Sequence, residues 1–313
     1  MKPTIAYLGA PEGFAALREA VGTKAEAVNV DPTPDAVDAA LKTAAGLLDA
    51  SMRTPVTDAM IAAAPNLRII SCATTGSDHI ARGELAKRSI PVRTLREDPG
   101  LLANLTPAAE LTWALLMACA RKLPSALDDV KAGRWVREDF PGTMLNGRQL
   151  GVVGVGRIGG WMARYAQAFG MNVVGYDPHQ AKWPEAIRRA DLPELFRTSD
   201  FISVHVHLTD ETRGLVSAAL LAGVKPGAVL LNTSRGAVVD EAALLAALTS
   251  GRLGGAGLDV LEGEPVIDAH PLVAYARTHD NLLITPHMGG FSPDAVKLVC
   301  RRAAEKILEQ LQL

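Results

Sequence analysis

Residues 149–159 read QLGVVGVGRIG, a short apolar run that breaks into three glycines, Gly154, Gly156 and Gly159. The run reads as a strand, and the residues after it, to Phe169, as a helical stretch. Such a crossover needs glycine for three reasons: the turn is tight, the backbone must approach a pyrophosphate, and the helix must pack close to the strand. The helix start then aims unpaired amides and a partial positive charge at the phosphates. A glycine turn between strand and helix is frequent, so its context has to add weight. The next strand ends at Asp177, 177 − 159 = 18 residues past the last glycine, where a dinucleotide site places an acid against the adenosine ribose hydroxyls. That acid would repel a 2′-phosphate, and Pro178 and His179 follow it rather than arginine. NAD, not NADP, is the expected cofactor.

Working outward, further strand-like runs at 172–176, 201–205, 228–232, 254–259 and 281–285 complete a series that begins at 149. An earlier series occupies 4–8, 25–30, 46–49, 67–72 and 90–93, with helical stretches between, such as 57–64 before Pro65. Strands alternating with helices predict an α/β fold of mostly parallel sheets. At 313 residues the chain suits two domains. We expect a helix over 106–120 and a looser segment to about Gly147 between the two series. Thr106–Pro107 and Ser292–Pro293 both read as helix starts, a hydroxyl for the free amides and a proline that loses no hydrogen bond. The expected division is 1–98 plus 288–313 as one domain and 99–287 as the other. The first series offers only Gly9-Ala10-Pro11-Glu12-Gly13 after its opening strand. That lacks the spacing and sets an acid where phosphate would lie, so no nucleotide is assigned there.

Composition excludes several classes. The chain is 48% hydrophobic and 21% charged with a formal net charge of -2, an ordinary globular balance without the basic runs that nucleic acid or an anionic membrane would require. Its start, MKPTIAYLGAPEG, lacks the pattern of a signal peptide. Apolar runs such as 111–120 are shorter than the roughly 20 residues that cross a bilayer. Three widely spaced cysteines, Cys72, Cys119 and Cys300, form neither a disulfide framework nor a metal pattern. No Cys-x-x-Cys, His-Glu-x-x-His or Gly-x-Ser-x-Gly is present, which argues against a zinc site and a serine hydrolase. A cytoplasmic, reduced protein is the expectation.

Three residues downstream of the glycines carry chemistry. Arg235 follows the run 228–232, at the carboxyl end of a strand, where α/β sheets place ligands; a guanidinium there can grip a carboxylate through two parallel bonds. His287 follows the run 281–285 in the same way, and imidazole suits proton exchange near neutral pH. Glu264, in LEGEP, is the natural orienter of that ring. Each has a plain structural alternative: a turn-capping arginine, a satisfied loop histidine, a solvated acidic loop. His79, His179, His205, His207, His270 and His279 compete with His287, and of these His205 and His207 are better placed to line a cofactor. Together the triplet fits an enzyme that holds a hydroxy or keto acid while moving a proton and a hydride.

The chain resembles the D-isomer-specific 2-hydroxyacid dehydrogenases, nearest their phosphoglycerate dehydrogenase-like and hydroxypyruvate reductase-like members. The matching stretches, in order over nearly the whole chain, are SCATTGSDHI, LTPAAELTWALLMACAR, LGVVGVGRIG, VVGYDP, SVHVHLTDETRGLV, LLNTSRGAVVDE, GLDVLEGEP and ITPHMGG. The resemblance implies a flavodoxin-like substrate domain and a Rossmann NAD domain with a cleft between them, the last helix returning to the first domain. It makes Arg235, Glu264 and His287 catalytic and places Arg157 and Ile158 at the phosphates and Asp177 at the ribose. Further cofactor contacts fall on His205, Val206, Thr212, Thr233, Ser234 and Asp259, the last at the nicotinamide carboxamide. Thr74, Thr75 and Gly76 correspond to backbone amides that bind the substrate carboxylate. It also implies a homodimer built on 106–147, with Trp135 as a residue that could reach a partner's site.

His207 stands where many members have proline, and REDPGLLANLTP varies a commoner loop pattern. With its end at Leu313, the chain is expected to lack the regulatory domain of longer phosphoglycerate dehydrogenases. Phosphoglycerate, glycerate or hydroxypyruvate, and glyoxylate remain open as substrates, with Arg53, His79, Arg82, Lys87 and Arg134 as cations that could meet a phosphate. A non-enzymatic NAD-responsive binding protein of the same fold is the rival reading, and the intact triplet argues against it. Formate dehydrogenase shares the fold but pairs its histidine with glutamine, and a methyltransferase would not need Arg235 and His287.

Overall fold

The computed structural model describes residues 2–313. Two compact units are present: one runs to Leu105 and resumes at Gly290–Leu313, the other is Thr106–Gly289. Each is built on a parallel sheet, as the alternation of runs predicts.

In the first unit the strands are β1 (Thr4–Leu8), β2 (Glu26–Asn29), β3 (Gly46–Asp49), β4 (Ile69–Cys72) and β5 (Val92–Arg93), in the spatial order β2-β1-β3-β4-β5. This is the flavodoxin-like order. The central strands β3 and β4 are buried along their whole length, because helices cover both faces of a parallel sheet. The last helix, Pro293–Leu311, belongs to this unit. Its Val296, Val299, Cys300, Ala303, Ala304 and Ile307 share a core with Ile5, Tyr7, Leu17 and Ile69. Its Lys306 is fully buried, with Nζ donating to the Thr94 carbonyl at 2.6 Å and paired with Asp98. A buried ammonium persists only with such partners.

The second unit holds β6 (Gln149–Val153), β7 (Asn172–Tyr176), β8 (Arg188–Arg189), β9 (Phe201–Val204), β10 (Ala228–Asn232), β11 (Leu253–Leu258) and β12 (Leu282–Ile284). Their order is β12-β11-β10-β9-β6-β7-β8. The chain leaves β6 toward β7 and β8, then crosses back to pair β9 against β6, Val153 opposite Val204. The order therefore reverses between β6 and β9, and ligands bind outside the carboxyl ends of strands at such a reversal.

Two local readings are corrected. Neither Thr106 nor Ser292 caps its helix with the side chain; the Thr106 hydroxyl donates to Glu110 Oε1 at 2.5 Å instead. The helices still begin at Pro107 and Pro293, so proline marked the start without help from the hydroxyl. The expected loose segment after residue 120 contains a helix, Leu123–Lys131, and a 3-10 turn, Arg137–Asp139. β8 has no apolar signature because it is two exposed arginines at a sheet edge. The stretch Pro99–Arg121 is apolar and long enough by composition to cross a membrane. It is broken into helices Pro99–Ala103 and Pro107–Arg121, and Leu115, Leu116 and Ala120 of the latter join a core with Leu150 and Leu231.

Candidate active site

The glycine turn lies at the reversal between β6 and β9. Gly154 has φ +89°, and a Cβ there would lie 2.7 Å from the His205 carbonyl oxygen, so only glycine fits. At Gly159 a Cβ would overlap the Gly154 carbonyl. Gly156 faces open space, with no atom within 4 Å of an added Cβ. It precedes the helix Arg157–Ala168, whose first turn has no side-chain cap. The helix thus offers free amides beside an open glycine, a cradle that fits a pyrophosphate. Arg157 and Ile158 open that helix, both half-buried, and burial lowers the Arg157 pKa. Asp177 clasps the turn from β7: Oδ2 accepts from the Val155 amide and Oδ1 from the His179 amide, each at 2.9 Å.

His205 follows β9. Its Nε2 is 2.7 Å from Ser203 Oγ, while Nδ1 is buried with no hydrogen-bond partner. Burial pushes its pKa down to about 3, so the ring is neutral. An unmatched buried nitrogen at the reversal point is a place for a polar ligand group. Val206 packs beside Gly154. Thr212 closes the turn after it, its hydroxyl donating to the His207 carbonyl at 2.5 Å.

After β10, Asn232 organises the turn that carries Arg235. Its Oδ1 accepts from the amide and hydroxyl of Ser234, and its Nδ2 donates to the Arg235 carbonyl at 2.9 Å. Thr112 commits its proton to Ala108 O, so Thr233 donates to Thr112 across 2.7 Å. Arg235 is half-buried, with Nη1 donating to the Ser234 carbonyl. The next residue must be glycine: a Cβ on Gly236 would lie 2.1 Å from the Glu262 amide nitrogen. That close passage sets the Arg235 turn against the loop of Glu264.

Glu264 Oε2 accepts from the Leu261 amide at 3.2 Å, and Oε1 lies 2.5 Å from His287 Nδ1. His287 itself has φ +53°, left-handed backbone that a non-glycine residue adopts only when its surroundings impose it. Asp259 imposes it. This carboxylate is 1% exposed and accepts from Thr285 Oγ1, the Met288 amide and the Gly289 amide at 2.6, 2.9 and 2.7 Å. Burial raises its pKa against those bonds.

The structure therefore brings Glu264 and His287 into contact, sets the Arg235 turn beside their loop, and places Asp259 beneath His287. Asn232 and Thr112 were not singled out from sequence; an asparagine ending a strand was the available signal for the first. In the first unit, the Thr74 hydroxyl donates to the Gly76 carbonyl and its own carbonyl accepts from the Leu95 amide, shaping the loop 74–76. Most of the candidate phosphate cations are engaged: His79 with Asp49, Arg82 with Ser77, Lys87 with Glu84 and Arg134 with Asp129. Arg53 is exposed. Among the described residues no group of three His, Cys, Asp or Glu side chains is placed to hold a metal.

Residues 113–289 match the model of the D-isomer specific 2-hydroxyacid dehydrogenase, NAD binding domain. The chain is 38% identical over 258 residues to hydroxypyruvate reductase of Thermotoga maritima, 82% of each chain. It is also 38% identical to D-3-phosphoglycerate dehydrogenase of Mycobacterium bovis, over 94% of this chain but 54% of that one. It thus spans about half the length of that relative. Among solved structures, D-lactate dehydrogenase from Aquifex aeolicus, complexed with NAD and lactic acid, aligns with a TM-score of 0.84 at 28% identity, over 98% of this chain and 97% of that one.

Proposed function

The chain belongs to the D-isomer specific 2-hydroxyacid dehydrogenase family, and from that premise we propose how its own residues divide the work. It is an NAD-dependent oxidoreductase acting on the CH–OH group of its donor. When bound, NAD would supply the hydride acceptor for the carbon beside the carboxylate, and NADH the hydride donor in reverse. Gly154, Gly156, Arg157, Ile158 and Gly159 hold its pyrophosphate and Asp177 its ribose. His205, Val206, Thr212, Thr233, Ser234 and Asp259 line the remainder, with neutral His205 offering an uncharged surface.

Arg235 grips the substrate carboxylate and orients the reacting carbon. His287 takes the hydroxyl proton in oxidation and returns it in reduction through Nε2. Glu264, bonded to Nδ1, keeps the proton-exchanging nitrogen open and stabilises the imidazolium that forms. The carrying observation is the 2.5 Å contact between His287 Nδ1 and Glu264 Oε1, with Nε2 unpartnered among the described residues. Replacing His287 with alanine should lower kcat by about 10²–10⁴-fold while calorimetry shows NAD binding unchanged. Unaltered turnover would reject the assignment.

For the first unit we propose the substrate-binding role, with the loop Thr74–Gly76 offering backbone amides to a carboxylate. A small unphosphorylated keto acid, hydroxypyruvate or glyoxylate, is the proposed substrate. The support is that four of the five candidate phosphate cations are tied to acids or a hydroxyl. A panel of keto acids with NADH, read by loss of nicotinamide absorbance, tests this; a clear preference for the phosphorylated acid would reverse it. A homodimer through the region 106–147 accounts for its exposed Leu127, Val130, Met144 and Trp135, the last 87% exposed. Sedimentation of a fully active monomer would reject it. Three free thiols, with Cys72 and Cys300 buried, suit a reducing cytoplasm.

A further inference from the structure

A second histidine–carboxylate pair lies behind the Glu264 loop. Glu241 opens the helix Glu241–Thr249, and His270 precedes the helix Pro271–Ala276. Glu241 Oε2 is 2.9 Å from His270 Nε2, and Glu241 Oε1 accepts from the Glu262 amide at 2.9 Å. The pair is 14% and 11% exposed at the side chains. His270 Nδ1 accepts from the Leu272 amide at 3.3 Å, capping its helix. A nitrogen that accepts carries no proton, so the His270 proton sits on Nε2 and is donated to Glu241. Both ring nitrogens are used. Unlike His287, His270 has no nitrogen left for a substrate.

The Glu262 amide is held from two sides. Gly236 presses against it, close enough that a Cβ would lie 2.1 Å away, and the Glu241 carboxylate accepts its proton. One residue earlier, the Leu261 amide donates to Glu264 Oε2, whose other oxygen meets His287. We propose that Glu241, itself fixed by His270, is a positioning residue that holds the turn 261–264 so that Glu264 meets His287 Nδ1. This rests on the catalytic reading of Glu264 and His287. Neither Glu241 nor His270 touches the reacting atoms. Burial raises the Glu241 pKa, and the bonds from the Glu262 amide and His270 act in the opposite direction.

The test is a double-mutant cycle in the full chain. Glu264→Gln should lower kcat, and Glu241→Ala should lower it by about 10–100-fold, the effect of a displaced catalytic group, with NAD affinity in calorimetry unchanged. If Glu241 acts through Glu264, the double variant is no slower than Glu264→Gln alone. Glu241→Gln, whose amide oxygen still accepts from Glu262 while its NH2 meets the Nε2–H of His270 and loses that bond, should recover part of the loss. Should Glu241→Ala not fold, Glu241→Asp withdraws the carboxylate by one methylene and serves the same cycle. Unchanged turnover in Glu264→Gln sinks the parent reading. A slow Glu264→Gln with an additive Glu241 effect, or with no Glu241 effect, or a Gln variant as poor as Ala, overturns the positioning role alone.

Discussion

Both units turn from their first strand into their first helix through glycines, at the point where their sheets reverse order, yet the two turns do opposite things. In the second unit Gly156 faces open space and the helix start is uncapped. In the first unit the corresponding turn is stoppered from within by Tyr7. Its hydroxyl donates to the Ala10 carbonyl at 2.8 Å, and Cys300 Sγ from the terminal helix lies 3.8 Å from it. A Cβ on Gly13 would lie 2.1 Å from the Tyr7 oxygen and 2.6 Å from Cys300 Sγ. Burial raises the pKa of both groups, Cys300 to about 11, so both stay neutral. Glycine in one turn makes room for a ligand; in the other it makes room for the protein's own core.

Four substitutions would break or sharpen that contrast. Gly156→Val should weaken NAD binding roughly 100-fold, about 2.7 kcal/mol, with little change in Tm, because the protein has nothing there to collide with. A matching loss of Tm would show the opening to be illusory. Gly13→Ala should do the reverse, costing about 2 kcal/mol of stability by overpacking against Tyr7 and Cys300 while NAD affinity in calorimetry holds. Asp177→Ser should narrow the preference for NAD over NADP by about tenfold, as a repelling charge is removed; an unchanged ratio would detach Asp177 from the ribose. Tyr7→Phe, which deletes one buried hydrogen bond, should lower stability by about 1 kcal/mol in chemical denaturation and leave kcat alone.

Much of the fold was readable because its signals are local. Strands 4–8, 172–176 and 228–232 match β1, β7 and β10 in full, each a largely apolar run followed by a glycine or polar residue. β8 escaped because two arginines on an edge strand satisfy the sheet through backbone alone. The hydroxyls of Thr106 and Ser292 misled, since a serine or threonine before proline can spend its side chain elsewhere, as Thr106 does on Glu110. The candidate residues could be named from motifs, but not their partners. His270 was one of the histidines that competed with His287, and only the structure separates them: His287 is 34% exposed at the side chain with a nitrogen open, His270 11% exposed with both nitrogens bonded. Asn232 gave a faint signal because its work, ordering the turn to Arg235, is done on backbone groups and the neighbouring Ser234 hydroxyl.

By itself the amino-acid order settled the kinds of element, their succession, the glycine spacing after β6 and the acid that follows β7. These depend on neighbours a few residues away, through backbone sterics and hydrophobic periodicity. Only the folded chain decided that Glu264 meets His287 across 23 positions, Glu241 meets His270 across 29, and Tyr7 meets Cys300 across 293. Such meetings follow from which strand lies beside which and which helix covers them, and that choice rests on the summed packing of a whole core rather than on any stretch within it.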